Sequence, residues 1–173
     1  SLRLIVLTHG DFDHIGNAAH LRDRYGAKIG MHLADAGMAE QGDMFWNRSS
    51  GGALLRLIMP LFFRFGKSNR FRPDVFLQEG DSLEAYGLEA RVLSIPGHSK
   101  GSIGILTAAG DLFCGDLLDN SKEPATSSIM DDLAACVASV ETLRGYEIGT
   151  VFPGHGQPFP MDLFWAAQAQ SSG

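Results

Sequence analysis

The segment THGDFDHIGN, residues 8–17, holds four side chains that can bind a metal ion within six consecutive positions. Two are imidazoles and two are carboxylates: His9, Asp11, Asp13 and His14. Imidazole nitrogens and carboxylate oxygens are common ligands of catalytic zinc, iron and manganese ions. Because the segment directly follows the apolar run LRLIVL, it is predicted to form a turn at the end of a strand that is buried on both faces.

Three more candidate ligands stand in the same setting, each beside a glycine and after an apolar strand. They are His98 in PGHSKGS, Asp116 in CGD and His155 in PGHG. Ligand sites of α/β proteins form beyond the carboxyl ends of strands, where such turns converge. Seven ligands at one locus would suit two metal ions roughly 3.5–4 Å apart, an arrangement used for hydrolytic displacement.

The hydrophobic pattern predicts the elements that must position these motifs. Strands are expected at residues 2–8, 27–32, 75–78, 88–95, 101–108, 111–115 and 149–152, and helices at 15–26 and 160–170. With one further helix, the order is β-α-β, an insertion, a β meander and then α-β-α. This order is typical of a single α/β domain.

The further helix is the clearest one, SSIMDDLAACVASVETLRG at residues 127–145. Ser127 or Ser128 is predicted to cap it, with Asp131 and Asp132 in its first turn, where the helix dipole favours carboxylates. The glycine at the end of the segment is expected to stop it. Four apolar side chains recur at helical spacing: Leu133, Val137, Val140 and Leu143.

Length, composition and charge bound the class of protein. The 173 residues suffice for one domain with a core, and 45% hydrophobic with 20% charged residues is ordinary for a globular protein. No apolar run is long enough to cross a bilayer as a helix. The net charge of −6 argues against a general nucleic-acid binder. Cys114 and Cys136 form no CxxC pair, which fits a reducing cytoplasm, and Cys114 is expected to be a small core residue.

One window has the opposite charge. Residues 44–73 contain no Asp or Glu but six basic residues, interleaved with aromatic ones. Three interpretations stay open: a cover that packs its aromatic side chains on the core, a lid that recognises an anionic substrate, and a surface that docks on a membrane. The basic residues are Arg48, Arg56, Arg64, Lys67, Arg70 and Arg72.

In their order and spacing, THGDFDH, PGHSKGS, CGD and PGHG resemble the motif series of the metallo-β-lactamase superfamily. The resemblance implies an α/β fold, an αββα sandwich of two mixed β-sheets flanked by helices, with a dinuclear metal site at one edge. It also implies how the seven ligands are divided. The first metal would be held by His9, Asp11 and His98, the second by Asp13, His14 and His155, and Asp116 would bridge them.

The resemblance further implies a single domain over residues 1–173, with a helical, basic and aromatic insertion at about 33–73. Family members usually have several strands before the first ligand strand, and these are expected to be missing here. An unpaired apolar strand edge invites pairing with a second chain, so a homo-oligomer is expected.

PGHSKGSIGIL resembles the glyoxalase-II-like general hydrolases of the superfamily. A hydroxide bridging two metals would attack an ester, thioester, lactone or phosphoester of a small, possibly anionic substrate. Asp13 is the candidate catalytic residue, because it can orient the nucleophile or relay its proton. Lys100 is a candidate substrate contact. His20 and His32 lie outside the motifs and are expected to be structural.

The main departure from the family pattern is Asp11, which stands where His-x-His-x-Asp-His has its second histidine. An added carboxylate moves metal preference away from zinc toward iron or manganese. Two divalent ions are expected, zinc first and iron or manganese as alternatives, with zinc bound more weakly at the first position. Two alternative functions remain: an iron-dependent redox protein of the same fold, and a catalytically inactive, truncated remnant.

Overall fold

The computed structural model describes residues 2–48 and 66–171. Near the start of the chain it has a three-stranded parallel sheet made of β1 (Leu4–Val6), β2 (Lys28–Met31) and β3 (Val75–Phe76). β2 is the middle strand and pairs in parallel with both neighbours. The backbone N–H of Leu7 donates to Gly30 O and extends this pairing beyond β1.

A second, mixed sheet contains five strands of the described chain. They are β4 (Ala90–Ser94), β5 (Ile103–Thr107), β6 (Asp111–Gly115), β9 (Thr150–Pro153) and β10 (Phe159–Pro160). β4, β5 and β6 form an antiparallel meander, β9 lies parallel to β6, and β10 pairs with β9 at the edge. A small hairpin joins β7 (Leu118–Asp119) to β8 (Ala125–Thr126). β4, β6 and β9 therefore run in the same direction.

The helices lie between these strands and at the end of the described chain. They are α1 (Phe12–Ile15), α2 (Ala18–Tyr25), α3 (Leu33–Gln41), α4 (Leu133–Thr142) and α5 (Met161–Ser171). Short 3-10 turns occupy Lys67–Asn69, Glu84–Tyr86 and Leu143–Gly145. As predicted, α2 ends at Gly26, which adopts the left-handed conformation with φ 65°.

Three apolar clusters define the layers. Val6 of β1 and Val92 of β4 belong to the cluster between the two sheets. Ile29 of β2 and Ile15 of α1 belong to a second cluster, which joins the first sheet to helices α1, α2 and α3. Phe164 of α5 belongs to a third cluster on the second sheet, together with residues of α4. The predicted order of helix, sheet, sheet and helix is confirmed.

The first strand is less buried than its sequence predicts. The continuous apolar run predicts a strand covered on both faces, yet Leu4, Ile5 and Val6 are only half-buried. The reason is position: in the described sheet β1 is an edge strand with β2 as its one partner. The predicted pairing of this region with a second chain stays a prediction.

The helix α4 begins later than predicted. Neither Ser127 nor Ser128 caps it; Asp132 does, through Oδ1, which accepts from Ala135 N at 3.0 Å. The N–H groups of Asp131 and Asp132 both donate to Gly97 O, so the preceding segment is held against another loop and cannot continue the helix.

The buried face of α4 agrees only in part with the predicted one. Leu133 and Val137 are 65% and 60% exposed, although both take part in the apolar spacing. Cys136 and Ser139 face the core, together with two of the predicted residues, Leu143, which is buried, and Val140, which is partly buried. Helical spacing thus predicts the element and the core contacts near its end, but not those of its first turns, which begin at the segment held by Gly97 O.

The basic window is helical or irregular where it is described. Phe71 is buried in the cluster of the first sheet and Arg72 is exposed, as a cover would have them. Residues 49–65, which include Arg56 and Arg64, lie outside the described residues, and the lid and membrane-docking interpretations stay predictions. Within the described chain, no helix is long and apolar enough to cross a membrane.

The position of the cap can be tested by two matched substitutions. Asp132→Ala removes the acceptor of the first free helical N–H and should lower the free energy of unfolding by about 0.5–2 kcal/mol. Ser128→Ala, at the predicted cap, should leave it unchanged. Urea denaturation of both variants measures the difference, and a larger loss for Ser128→Ala would restore the predicted helix start.

Candidate metal centre

The carboxyl ends of four strands bring the candidate ligands to one edge of the sandwich. β4, β6 and β9 run in one direction and precede His98, Asp116 and His155. His9 follows β1 of the other sheet, and the two sheets are joined at this point by Ile103 N, which donates to Thr8 O at 2.8 Å. The strand order therefore explains why motifs up to 146 positions apart meet.

Within the first motif, the short helix α1 separates the ligands. Asp11 is its N-cap residue, and the backbone N–H groups of His14 and Ile15 donate to Asp11 O at 3.0 Å. His9 and Asp11 stay buried before the helix, whereas Asp13 and His14 lie on the helix itself. The single turn of α1 therefore separates two buried candidate ligands, His9 and Asp11, from two more exposed ones, Asp13 and His14.

Two groups of possible ligands result. His9, His98 and Asp116 form the first, with ligand atoms within 4.8 Å of one another. Asp13, His14 and His155 form the second within the same limit. The histidines of the first group are buried, while the side chains of Asp13 and His155 are 41% and 50% exposed.

Asp116 belongs to the first group and also faces the histidines of the second. Its Oδ2 is 3.9 Å from the Nε2 atoms of both His9 and His98. On the other side, Oδ1 is 3.3 Å from His14 Nε2, and Oδ2 is 3.4 Å from His155 Nε2. One carboxylate therefore faces four imidazoles, as a bridging ligand would.

The atoms of the first group fit a metal ion. His9 Nε2 is buried and makes no hydrogen bond within the described chain. It lies 3.9 Å from Asp116 Oδ2, too far for a hydrogen bond, whereas metal–nitrogen and metal–oxygen bonds of about 2.0–2.2 Å each would span it. Burial and the neighbouring His14 lower the pKa of His9 to about 3, which leaves its imidazole neutral and able to bind a cation.

The close packing of carboxylates and imidazoles also shifts the pKa values of Asp116 and His14. Burial opposes ionisation of Asp116, but its hydrogen bond with His14 and the nearby imidazoles outweigh burial and lower its pKa to about 2. Burial would lower the pKa of His14, yet the hydrogen bond with Asp116 and the carboxylates around it raise it. A metal ion bound by His14 would replace the proton that these carboxylates attract.

His98 is oriented by the backbone. Its Nδ1 donates to Ile129 O at 2.7 Å, which points Nε2 at Asp11 Oδ2, 3.2 Å away. Although burial lowers the pKa of His98, the hydrogen bonds with Asp11 and Ile129 raise it above its usual range. A backbone partner on the far nitrogen is the usual way to fix a ligand histidine.

Asp11 has a second, unpredicted partner. Arg48 Nη2 donates to Asp11 Oδ1, and both side chains are buried. Burial raises the pKa of Asp11, but His98 and Arg48 outweigh burial and lower it. Of the seven predicted ligands, Asp11 is the one outside both groups. The sequence placed Arg48 in the basic window but gave no sign that it contacts Asp11, which lies 37 positions away.

Asp35 is a second residue that the sequence did not indicate. It is fully buried on α3 and accepts from Gly10 N at 3.1 Å, Ser99 Oγ at 2.6 Å and Gly101 N at 2.8 Å. These donors belong to the loops that carry His9 and His98, so one carboxylate ties both loops to α3. The only sequence signal was an aspartate inside a small, apolar helix.

Lys100 and the histidines outside the motifs take other positions. Lys100 is exposed, with Nζ 3.4 Å from Asn47 Oδ1, and no contact within the described chain assigns it to the ligand groups. His32 caps α3 by accepting from Ala34 N at 3.2 Å, and His20 is exposed on α2. Cys114 is buried in the core, as predicted, and burial raises the pKa of its thiol to about 12.

Comparison with known proteins gives the same family throughout. A family model described as the metallo-beta-lactamase superfamily matches residues 1–155. Hydroxyacylglutathione hydrolase GloC of Haemophilus influenzae is 29% identical over 147 residues, which are 82% of this chain and 62% of GloC. Human acyl-coenzyme A thioesterase MBLAC2 is 29% identical over 170 residues, 90% of this chain and 57% of MBLAC2. The chain thus spans less than two thirds of either relative.

Solved structures of metallo-β-lactamase-fold proteins are similar to this chain. TTHA1623 in a di-iron-bound form has a TM-score of 0.70 and 26% identity, over 92% of this chain and 73% of TTHA1623. The archaeal protein ST1585 from Sulfolobus tokodaii, a member of the same superfamily, has a TM-score of 0.75 at 19% identity, over 100% of this chain and 69% of its own. At that identity the second likeness shows the fold alone.

The role of Asp35 predicts a loss of both stability and metal binding. Asp35→Asn places an amide NH₂ where only acceptors fit, so at least one buried N–H or hydroxyl loses its partner. The free energy of unfolding should fall by about 1–3 kcal/mol, and metal affinity should fall with it. Asp23→Asn on the exposed side of α2 is the matched control. Urea denaturation and metal titration check both; an unchanged affinity would remove Asp35 from the support of the site.

The close approach of Gly154 to the ligands gives a second prediction. A Cβ at this position would overlap Asp116 Oδ1 and lie 2.7 Å from His14 Cε1. Gly154→Ala should therefore displace both ligands and weaken metal binding by roughly 10–100-fold, the range for losing a residue that orients ligands. In Gly145→Ala, the control, the new Cβ meets no atom within 4 Å. Isothermal titration with zinc compares the two, and equal affinities would contradict the prediction.

Proposed function

Since the chain belongs to the metallo-β-lactamase superfamily, we propose that it is a metal-dependent hydrolase with a dinuclear centre. The observation that carries this proposal is the position of Asp116, which belongs to the buried group of ligands and also faces the histidines of the group open to solvent. The ligands proposed are His9, Asp11, Asp13, His14, His98, Asp116 and His155.

The substrate proposed is an acyl group carried on a thiol. GloC is named a hydroxyacylglutathione hydrolase and MBLAC2 an acyl-coenzyme A thioesterase, and both acyl carriers are anionic thiols. A small, anionic thioester is therefore favoured over the lactones and phosphoesters that the motifs also allow. Lys100 is exposed two residues after His98, and its ammonium group could bind the anionic part of such a thioester, which supports this substrate class.

The metals supply the chemistry when they are bound: divalent ions lower the pKa of water and polarise a carbonyl oxygen. Zinc is proposed first, with iron or manganese as alternatives because of Asp11. The di-iron form of TTHA1623 supports the iron alternative.

Two carboxylates of the protein, Asp116 and Asp13, have separate roles in the proposed reaction: one balances charge and the other transfers a proton. Asp116 stays ionised and balances the positive charge in the centre. Asp13 is half-exposed at the mouth of the site, 3.4 Å from His155 Nε2 and 3.6 Å from His14 Nε2. From there it can orient the attacking water, accept its proton and pass it to the departing thiolate.

A redox function is the second candidate. It is favoured by the carboxylate of Asp11 and by the di-iron form of TTHA1623. An iron-loaded protein that consumes oxygen with an electron donor but releases no thiol from thioesters would support it. A chain that binds metal but neither consumes oxygen nor releases thiol would be the catalytically inactive remnant.

Thiol release from acyl-coenzyme A and hydroxyacylglutathione esters tests the hydrolase directly. The chain loaded with zinc, iron or manganese should release thiol, and removal of metal by a chelator should abolish the release. His155→Ala should abolish it as well, because a ligand of the open group is lost, whereas His20→Ala on α2 should retain it. Activity that survives both chelation and His155→Ala would overturn the proposal.

A further inference from the structure

The guanidinium of Arg48 lies among the expected ligands of the first metal position. Nη2 donates to Asp11 Oδ1 and lies 3.5 Å from His98 Nε2. On its other side, Arg48 Nε is 3.8 Å from Asp131 Oδ2. The side chain is only 6% exposed, so these contacts are made away from solvent.

An arginine in this position is a permanent cation. The guanidinium does not lose its proton in proteins, and burial is tolerated only when carboxylates pair with it. Asp11 and Asp131 provide that pairing. The contact with Asp11 uses the carboxylate that the first metal would need, and the contact with His98 Nε2 faces the nitrogen that the metal would bind.

In the part of the chain that the structure describes, the second position has no comparable cation. Within the described chain, the ion pairs of Asp13 and Asp116 are made with histidines alone, and no lysine or arginine contacts either carboxylate. Among the described residues, a divalent ion bound there would meet four donors and no arginine or lysine. The two metal positions therefore differ in their surrounding charge. The difference comes from Arg48 as well as from the aspartate that stands at position 11 in place of a histidine.

We propose that Arg48 and a metal ion compete for Asp11, so that the centre takes its first ion at the second position and its second ion only when Arg48 moves away. Arg48 is thus a built-in regulator of metal stoichiometry: the chain holds one ion tightly, through Asp13, His14, His155 and Asp116. Asp131 keeps the displaced guanidinium close by. The inference rests on the proposed metal centre and is independent of the substrate.

Metal titration without substrate tests this inference. Zinc added to the metal-free protein should bind in two steps, with the second dissociation constant at least tenfold above the first. Arg48→Met removes the charge and keeps much of the length, and it should lower the second constant at least tenfold while leaving the first unchanged. Arg72→Met is the matched control, since its side chain is 80% exposed in the same window. Isothermal titration and elemental analysis after gel filtration give affinity and stoichiometry.

A second measurement keeps Arg48 in place and does not depend on the folding of Arg48→Met. In the otherwise unchanged chain, His155→Ala should abolish the tight step, whereas His98→Ala should retain it. With cobalt in place of zinc, the visible absorption of the bound ion follows the tight step through the coordination geometry of the metal.

The outcomes separate the two proposals. Two equally tight steps in the unchanged chain, or a tight step lost in His98→Ala and kept in His155→Ala, would overturn the role of Arg48 and leave the metal-dependent hydrolase standing. A chain that binds no zinc, iron or manganese would overturn the metal centre itself and the role of Arg48 with it.

Discussion

The carboxylate of Asp116 is the charge on which the arrangement of the candidate centre depends. Its oxygens lie 3.3–3.9 Å from the Nε2 atoms of four histidines that come from three motifs and both sheets. Imidazoles packed this closely disfavour one another's protonation, and an ionised carboxylate among them offsets the repulsion. β6 fixes the carboxylate because it is hydrogen-bonded on both edges, to β5 and to β9. The rest of the site is arranged around that strand end.

The two sides of Asp116 have different surroundings. On the buried side, His9, His98 and Asp11 are enclosed by the loops that Asp35 ties to α3, and Arg48 adds a fixed cation. On the other side, the ligands sit on a single turn of helix and a glycine-rich loop that are open to solvent. The enclosed side is therefore suited to holding charge in a fixed arrangement, and the open side to admitting a substrate and exchanging protons.

Much of this could be predicted from the sequence, because the predicted features are local. The strands, the end of α2 and the grouping of His, Asp and Gly motifs follow from neighbouring residues. Arg48 and Asp35 could not be predicted, since their contacts join positions 25 to 66 residues apart and no motif marks them. The cap of α4 was mispredicted for the same reason: a distant carbonyl, Gly97 O, takes the N–H groups of Asp131 and Asp132.

That same carbonyl joins the start of α4 to the loop of His98. Ile129, two residues before Asp131, also accepts from His98 Nδ1. Local opening of the segment before α4 would then break three hydrogen bonds at once and release an imidazole from its orientation. Bound metal opposes such an opening by its own binding free energy, so the amide protons of Asp131 and Asp132 should exchange with solvent more slowly in the loaded protein. The amino end of α4, although it supplies no ligand, becomes part of one cooperative unit with the centre.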